Sequence, residues 1–304
     1  MIKLNKKFYM LVSMALLMII VGCSNSSGSS DKLKIGAQTY SEPKIIAEMY
    51  KALIEESTDI SVDIVADLAA SPIVIQSMNK GDVQMATLYS GEIFNGYFDI
   101  EETKDRQEVL RQAQQGFDET FGFKWFDSFG FENTYAFTVR QELADQYGLE
   151  KVSDLKEYAD TLKIGVDTTW LERDNDGYRA FQDHYGIKFK ETFPMEISLV
   201  YQAVADQEVD VVLAYTTDPG IKEFNLKTLE DDMQFFPPYD ASPVIRKDML
   251  EKHPELEGII SKLVGKIDVQ TMASLNYEVD VNKRSPKEVA IEFLKAEGLM
   301  SNES

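Results

Sequence analysis

Two stretches of this chain, 126 residues apart, decide how it is read. Gln76–Glu92 runs QSMNKGDVQMATLYSGE, and Gln202–Asp218 runs QAVADQEVDVVLAYTTD. Gln76 matches Gln202, Val83 matches Val209 and Tyr89 matches Tyr215, while acids match at Asp82/Glu208 and Glu92/Asp218. Each stretch reads as the end of a helix, a turn, a buried strand, and a tyrosine at the strand's carboxyl end. A second pair precedes them at a spacing of 129. Leu33-Lys34-Ile35-Gly36 and Leu162-Lys163-Ile164-Gly165 are identical tetrapeptides, each expected to be a short buried strand ending in a glycine turn. Two matches in the same order at nearly the same spacing argue against chance. Solenoid repeats have periods of about 20–50 residues, so a repeat this long means two similar α/β lobes.

Helical signals fill the intervals. Ser41 and Pro43 open an amphipathic stripe through Ile45, Ile46, Met49, Tyr50, Leu53 and Ile54. Ser71-Pro72 opens a helix that Gly81 ends. Thr103–Gln115 reads as a charged, solvated helix, Ser153–Tyr158 as a helix with Ser153 as N-cap, and Pro286–Leu294 as a terminal amphipathic helix. Strands alternating with helices predict mostly parallel sheets, in which ligands bind beyond the carboxyl ends of strands. Tyr89 and Tyr215 then face the same kind of place, one in each lobe. Two lobes meeting at a cleft make a hinged binding protein.

The amino terminus is an address. Lys3, Lys6 and Lys7 precede the apolar run Phe8–Val21, too short for a membrane span and suited to a signal peptide. Cys23, the only cysteine, follows Gly22, and a polar Ser/Gly/Asn stretch follows it. The pattern resembles a bacterial lipoprotein signal; the competing reading is an uncleaved anchor with an incidental cysteine. The expected organisation is a signal peptide over 1–22 and a lipidated Cys23 opening a flexible tether over 23–32. The body then sits on the extracytoplasmic face of the cell membrane, held by its lipid anchor alone. Lobe I is expected over 33–134 plus 240–304, and lobe II over 135–239.

The 304 residues carry 31 Lys+Arg against 52 Asp+Glu, a formal charge of −21. That balance argues against nucleic acid as a partner, since a polyanion needs a basic patch. With 44% hydrophobic and 11% aromatic residues, the chain can build a sizeable core. One cysteine and two histidines make a Cys/His zinc site implausible and an intrachain disulfide impossible. His184 and His253 read as surface or structural residues. Asp174, Asp176 and Gly177 sketch only part of a calcium loop, without the full ligand pattern. The acid pairs Glu101-Glu102 and Asp231-Asp232 have no identifiable sugar platform beside them. With no P-loop, no GxGxxG and no nucleophile–His–acid set, neither an enzyme nor a cofactor is expected, and any ATPase must be another chain.

Two more tyrosines stand at the crossings between lobes, Tyr135 in Asn133–Phe137 and Tyr239 in Phe236-Pro237-Pro238-Tyr239-Asp240. Here the resemblance becomes specific. Leu213–Asp218 (LAYTTD), Phe235–Arg246 (FFPPYDASPVIR) and Glu172–Tyr178 (ERDNDGY) resemble the glycine betaine/carnitine/choline-binding lipoproteins of osmoprotectant ABC importers. The likeness extends from about Leu33 to the end of the chain. It implies a two-lobed, type II periplasmic-binding-protein-like fold with a hinge and an interlobe ligand cleft. It also implies a cage of four tyrosines, Tyr89, Tyr135, Tyr215 and Tyr239, around a quaternary ammonium group, with Gln38 touching the ligand's polar end. Thr39 beside it could hydrogen-bond a choline hydroxyl or a carboxylate. The implied partners are permease subunits with a separate ATPase, served by a monomer. Tyr97, Tyr178 and Tyr201 are left as structural.

A trimethylammonium group has no N–H to donate and a diffuse charge, so the negative faces of aromatic rings grip it where hydrogen bonds cannot, at roughly 0.5–2 kcal/mol per ring. One position departs from the family pattern. Three residues after the first cage tyrosine, where a small hydroxyl residue is common, stands Glu92. A carboxylate there repels a betaine carboxylate and favours choline, or another cation lacking a nearby carboxylate, over glycine betaine, with carnitine and glycine betaine as the other candidate ligands; the alternative is that Glu92 points to solvent. The competing readings of the whole chain are a receptor of the same fold for another solute, and a surface enzyme acting on a cationic headgroup.

Overall fold

A computed structural model describes residues 32–171 and 177–301. The signal peptide, Cys23, the tether up to residue 31, and most of the ERDNDGY segment with Asp174 and Asp176 lie outside the described residues. The chain divides into Met1–Lys32 and a compact unit, Leu33–Ser304, which is the subject below. Among the described residues no helix is long and apolar enough to cross a membrane.

The compact unit holds two five-stranded sheets. The first comprises β1 (Lys32–Gln38), β2 (Ser61–Leu68), β3 (Met85–Tyr89), β4 (Phe123–Trp125) and β10 (Ala241–Arg246), in the order β2-β1-β3-β10-β4. The second comprises β5 (Tyr135–Arg140), β6 (Lys163–Asp167), β7 (Glu191–Met195), β8 (Val211–Tyr215) and β9 (Leu226–Thr228), in the order β7-β6-β8-β5-β9. The two orders are one arrangement used twice. β1 runs parallel to β3 with Ile35 opposite Met85, and β6 runs parallel to β8 with Ile164 opposite Val211. Those residues are related by the spacings of 129 and 126, so the sequence repeat is a structural one.

The sheets are mixed, which corrects the expectation of mostly parallel strands. In each, the strand entering from the other lobe runs antiparallel to its neighbours: β10 against β3 and β4, and β5 against β8 and β9. A chain that crosses between lobes returns from the cleft side and inserts in the opposite direction.

The expected glycine turns are also corrected. Gly36 and Gly165 lie inside β1 and β6. A Cβ on Gly36 would stand 3.2 Å from Leu68 and 3.3 Å from Val83; one on Gly165 would stand 3.3 Å from Met195 and 3.4 Å from Val209. Both glycines admit the side chain of the repeated valine.

Strand residues alternate between cores on the two faces. Met85 and Tyr89 join one apolar cluster while Ala86 and Leu88 join another; Val211 and Leu213 face away from Val212 and Ala214. A strand buried on both faces therefore shows a continuous apolar run in sequence. The helix Ser41–Ser57 covers the first sheet with its predicted stripe, and Ser71–Lys80 ends at Gly81 in the left-handed region (φ +81°). The charged helix starts later than expected, at Arg106–Phe121 with Asp105 as cap, and buries Val109, Ala113 and Phe117. Ser153 is no N-cap: it lies inside the 3-10 turn Val152–Glu157, where its hydroxyl donates to Asp232 at 2.6 Å. Pro286–Ala296 is capped by Ser285 and Glu288 in a reciprocal box.

The crossings run side by side. Glu132 and Asp240 form an antiparallel bridge, and the Asn133 N–H donates to the Tyr239 carbonyl at 3.0 Å. The Arg106 guanidinium grips the buried Asp240 carboxylate through Nε and Nη2, at 2.7 and 2.5 Å from Oδ1. That grip fixes the backbone next to Tyr239.

Candidate functional site

The strand ends, the crossings and the helix starts enclose a cavity of about 820 Å³. Tyr89 reaches it from the end of β3 and Tyr215 from the end of β8, the positions their repeat assigns. Tyr239 enters from the return crossing, its ring lying flat on the backbone at Gly91. A Cβ at Gly91 would stand 2.5–2.6 Å from that ring, so only glycine leaves the ring its place.

Tyr135 does not line this cavity. It lies opposite Tyr215 in the β5–β8 ladder and stacks on it at 4.7 Å between ring centres, 24° from parallel, with the two hydroxyls 3.2 Å apart. An adjoining space of about 130 Å³ is walled by Tyr135, Tyr215, Tyr239 and Phe236. Three of the four expected tyrosines thus share the main cavity, and the fourth supports one of them from behind.

The polar residues divide differently from expectation. Gln38 is buried, donates to the Ser71 hydroxyl at 3.3 Å and stands behind Ser71, which is the residue on the wall. Thr39 is exposed and off the cavity lining. Glu92 does not point to solvent: it is 5% exposed and lines the cavity, accepting from the Asn95 amide at 2.9 Å. Burial pushes the Glu92 carboxyl up from its ordinary range, against hydrogen bonds from Ser71 and Asn95.

Several wall residues went unread in the sequence. Tyr201, a structural tyrosine by its sequence, lines the cavity with its ring over Gly220, and its hydroxyl donates to Asp218. Asp218, seen only as the acidic match of Glu92, also accepts the Tyr215 N–H at 3.1 Å. Burial raises the Asp218 carboxyl, opposed by those bonds. Tyr40, Asn133 and Asp280 complete much of the wall. Acids line it at Glu92, Asp218, Glu223 and Asp280, and among the described residues of the lining none is lysine or arginine.

Other candidate chemistry does not assemble. His184 is exposed, its ring 2.9 Å from the Met233 carbonyl. Among the described residues no group of histidines, cysteines and acids is arranged to hold a metal. A cavity walled by ring faces and carboxylates offers a cation two kinds of negative surface, and its described residues offer an anion no counter-charge.

Comparison with known proteins agrees with this chemistry. Residues 31–296 match the family model of the substrate binding domain of ABC-type glycine betaine transport systems. The carnitine transport binding protein OpuCC of Listeria monocytogenes is 44% identical over 299 residues, covering 96% of this chain and 97% of its own. A glycine-betaine-binding protein of Pseudomonas aeruginosa is 30% identical, covering 90% of each chain. Among solved structures, a glycine betaine/carnitine/choline ABC transporter protein superposes with a TM-score of 0.84 at 42% identity, covering 88% of this chain and 98% of that one.

Proposed function

This chain belongs to the family of substrate-binding domains of ABC-type glycine betaine transport systems, and from that premise we propose that it captures choline in preference to carnitine or glycine betaine. It is a transport binding protein and not an enzyme. The observation that carries the preference is a tyrosine-walled cavity whose described lining holds four acids and no base. The faces of Tyr89, Tyr215 and Tyr239 hold the methylated nitrogen, with Tyr135 keeping the Tyr215 ring in place. Three faces supply about 2–6 kcal/mol before ordering costs. Gln38 acts through Ser71, and Thr39 reaches the ligand only when the lobes move.

Glu92 sets the ligand's other end. As a carboxylate it repels the acid group of a betaine and accepts a hydrogen bond from the choline hydroxyl. Residues 135–239 close as one body on 33–134 and 240–304, the ligand touching both lobes and shifting the open–closed equilibrium. The protein acts on the extracytoplasmic face, lipid-anchored through Cys23, as a monomer that hands its ligand to permease subunits driven by a separate ATPase. Titration calorimetry with choline, carnitine and glycine betaine tests the preference. Choline should bind tightest; tighter binding of either zwitterion refutes it.

A further inference from the structure

Glu42 lies fully buried in the first turn of Ser41–Ser57, behind the cavity wall. Its carboxylate accepts the Tyr89 hydroxyl at 2.6 Å and the amides of Asn133 and Asn276 at 3.2 and 3.5 Å, with the Thr217 hydroxyl beside it. The Tyr40 hydroxyl extends the chain by donating to that of Tyr89 at 2.8 Å. All these partners are neutral. A buried carboxylate is costly without a cation, even when hydrogen-bonded. The site where a cation would be held lies beside the Tyr89 ring whose hydroxyl Glu42 grips.

We propose that Glu42 is a positioning residue and built-in counter-ion: it fixes the Tyr89 ring through the phenol proton and supplies, behind that ring, the charge a cationic ligand neutralises. The inference rests on the reading of the cavity as a quaternary ammonium site. A phenol donating to a carboxylate gains electron density, and its face grips a cation more strongly. A charge behind a dry wall acts over a distance at which water would screen it.

The neighbouring charges do not take over this role. On its own helix, Lys44 pairs with Asp67. On Val269–Asp280, Asp280 accepts from Ser41. After β8 stands Asp218, and after β3 Glu92. Among the described residues, those facing the site are acids. Burial raises the Glu42 carboxyl from its ordinary range, against its four hydrogen bonds. A bound cation pulls it back, so binding releases a proton when the pH lies between the two values, and affinity for a cation falls as the pH drops below the higher one.

The test uses the intact protein and two probes of one shape: choline, and uncharged 3,3-dimethylbutan-1-ol, measured by displacement of choline. Glu42→Gln keeps an acceptor for the Tyr89 hydroxyl and removes the charge. It should weaken choline roughly tenfold or more while leaving the alcohol within about twofold. It should also reduce the proton release read from binding heats in two buffers of different ionisation enthalpy, more than Glu92→Gln does. Equal choline affinity in wild type and Glu42→Gln, or equal losses for both probes, overturns the proposal. Should Glu42→Gln not fold, Tyr89→Phe keeps the ring and the Glu42 charge and breaks only the hydrogen bond: unchanged choline affinity in it overturns the positioning role, and choline binding by the wild type without proton release at any pH overturns the counter-ion role. Failure of the wild type to bind any quaternary ammonium compound is a different result: it overturns the reading of the cavity itself.

Discussion

Gly91→Ala separates the seating of the cage from the stability of the fold. The new methyl would stand 2.5–2.6 Å from three atoms of the Tyr239 ring, where carbon contacts are comfortable at about 3.5–4 Å. The ring must move by roughly 1 Å. Gly91 lies in the 3-10 turn Ser90–Asn95, outside the left-handed region, so alanine brings no backbone strain. Tyr239 is half-buried and faces the cavity, so its ring can escape into the space the ligand uses. The expected loss is one ring's grip, about 0.5–2 kcal/mol, or two- to thirty-fold in Kd. Overpacking that the ring relieves by moving should cost less than the usual ~1–3 kcal/mol. Calorimetry with choline gives the affinity, and thermal melts of the same samples give the stability. In a Tyr239→Ala background the Gly91→Ala change has nothing to displace, so its cost in affinity should vanish. An unchanged Kd in the single variant, or the same loss in both backgrounds, refutes the reasoning.

Tyr215→Ala should weaken choline more than tenfold with the circular dichroism unchanged, since it removes one ring face and the platform on which Tyr135 stacks; a smaller loss tells against the cage. Cys23→Ala should release the protein from the membrane into the soluble fraction, and continued membrane retention counts against lipidation at that residue. The Glu92 carboxyl is raised in the folded state, so folding retains a proton that unfolding gives up. Its contribution is fully present at and below the usual carboxylate range, near pH ~4, and is lost as the pH rises through the raised value. Ligand-free Glu92→Gln should therefore gain melting temperature over wild type as the pH rises from ~4 to ~8; parallel curves refute this.

The fold was legible because its logic is repeated. Gly36 and Gly165 accept the valines that recur at 83 and 209, and Tyr89 and Tyr215 end equivalent strands. What stayed hidden depends on contacts distant in sequence. Glu42, in the first turn of a helix, has the sequence appearance of an exposed acid favoured by the helix dipole; only the approach of Asn133, Thr217 and Asn276 makes it buried. Tyr201 sits in an apolar helix and reads as core until Gly220 opens a place for its ring at the wall. The mixed sheets are invisible in the sequence because alternation of strands and helices does not record from which side a returning strand arrives.

Strand β10 lies between β3 and β4 and bonds to both, so the first sheet stays in two pieces until residues 241–246 exist. The second sheet needs only strands within 135–228. As the chain is made from its amino terminus, the lobe begun first is finished last. The exposed flank of β3 must wait unzipped while more than 150 further residues are added, which makes the period before the return crossing the one in which a chaperone or a wrong partner would find this protein.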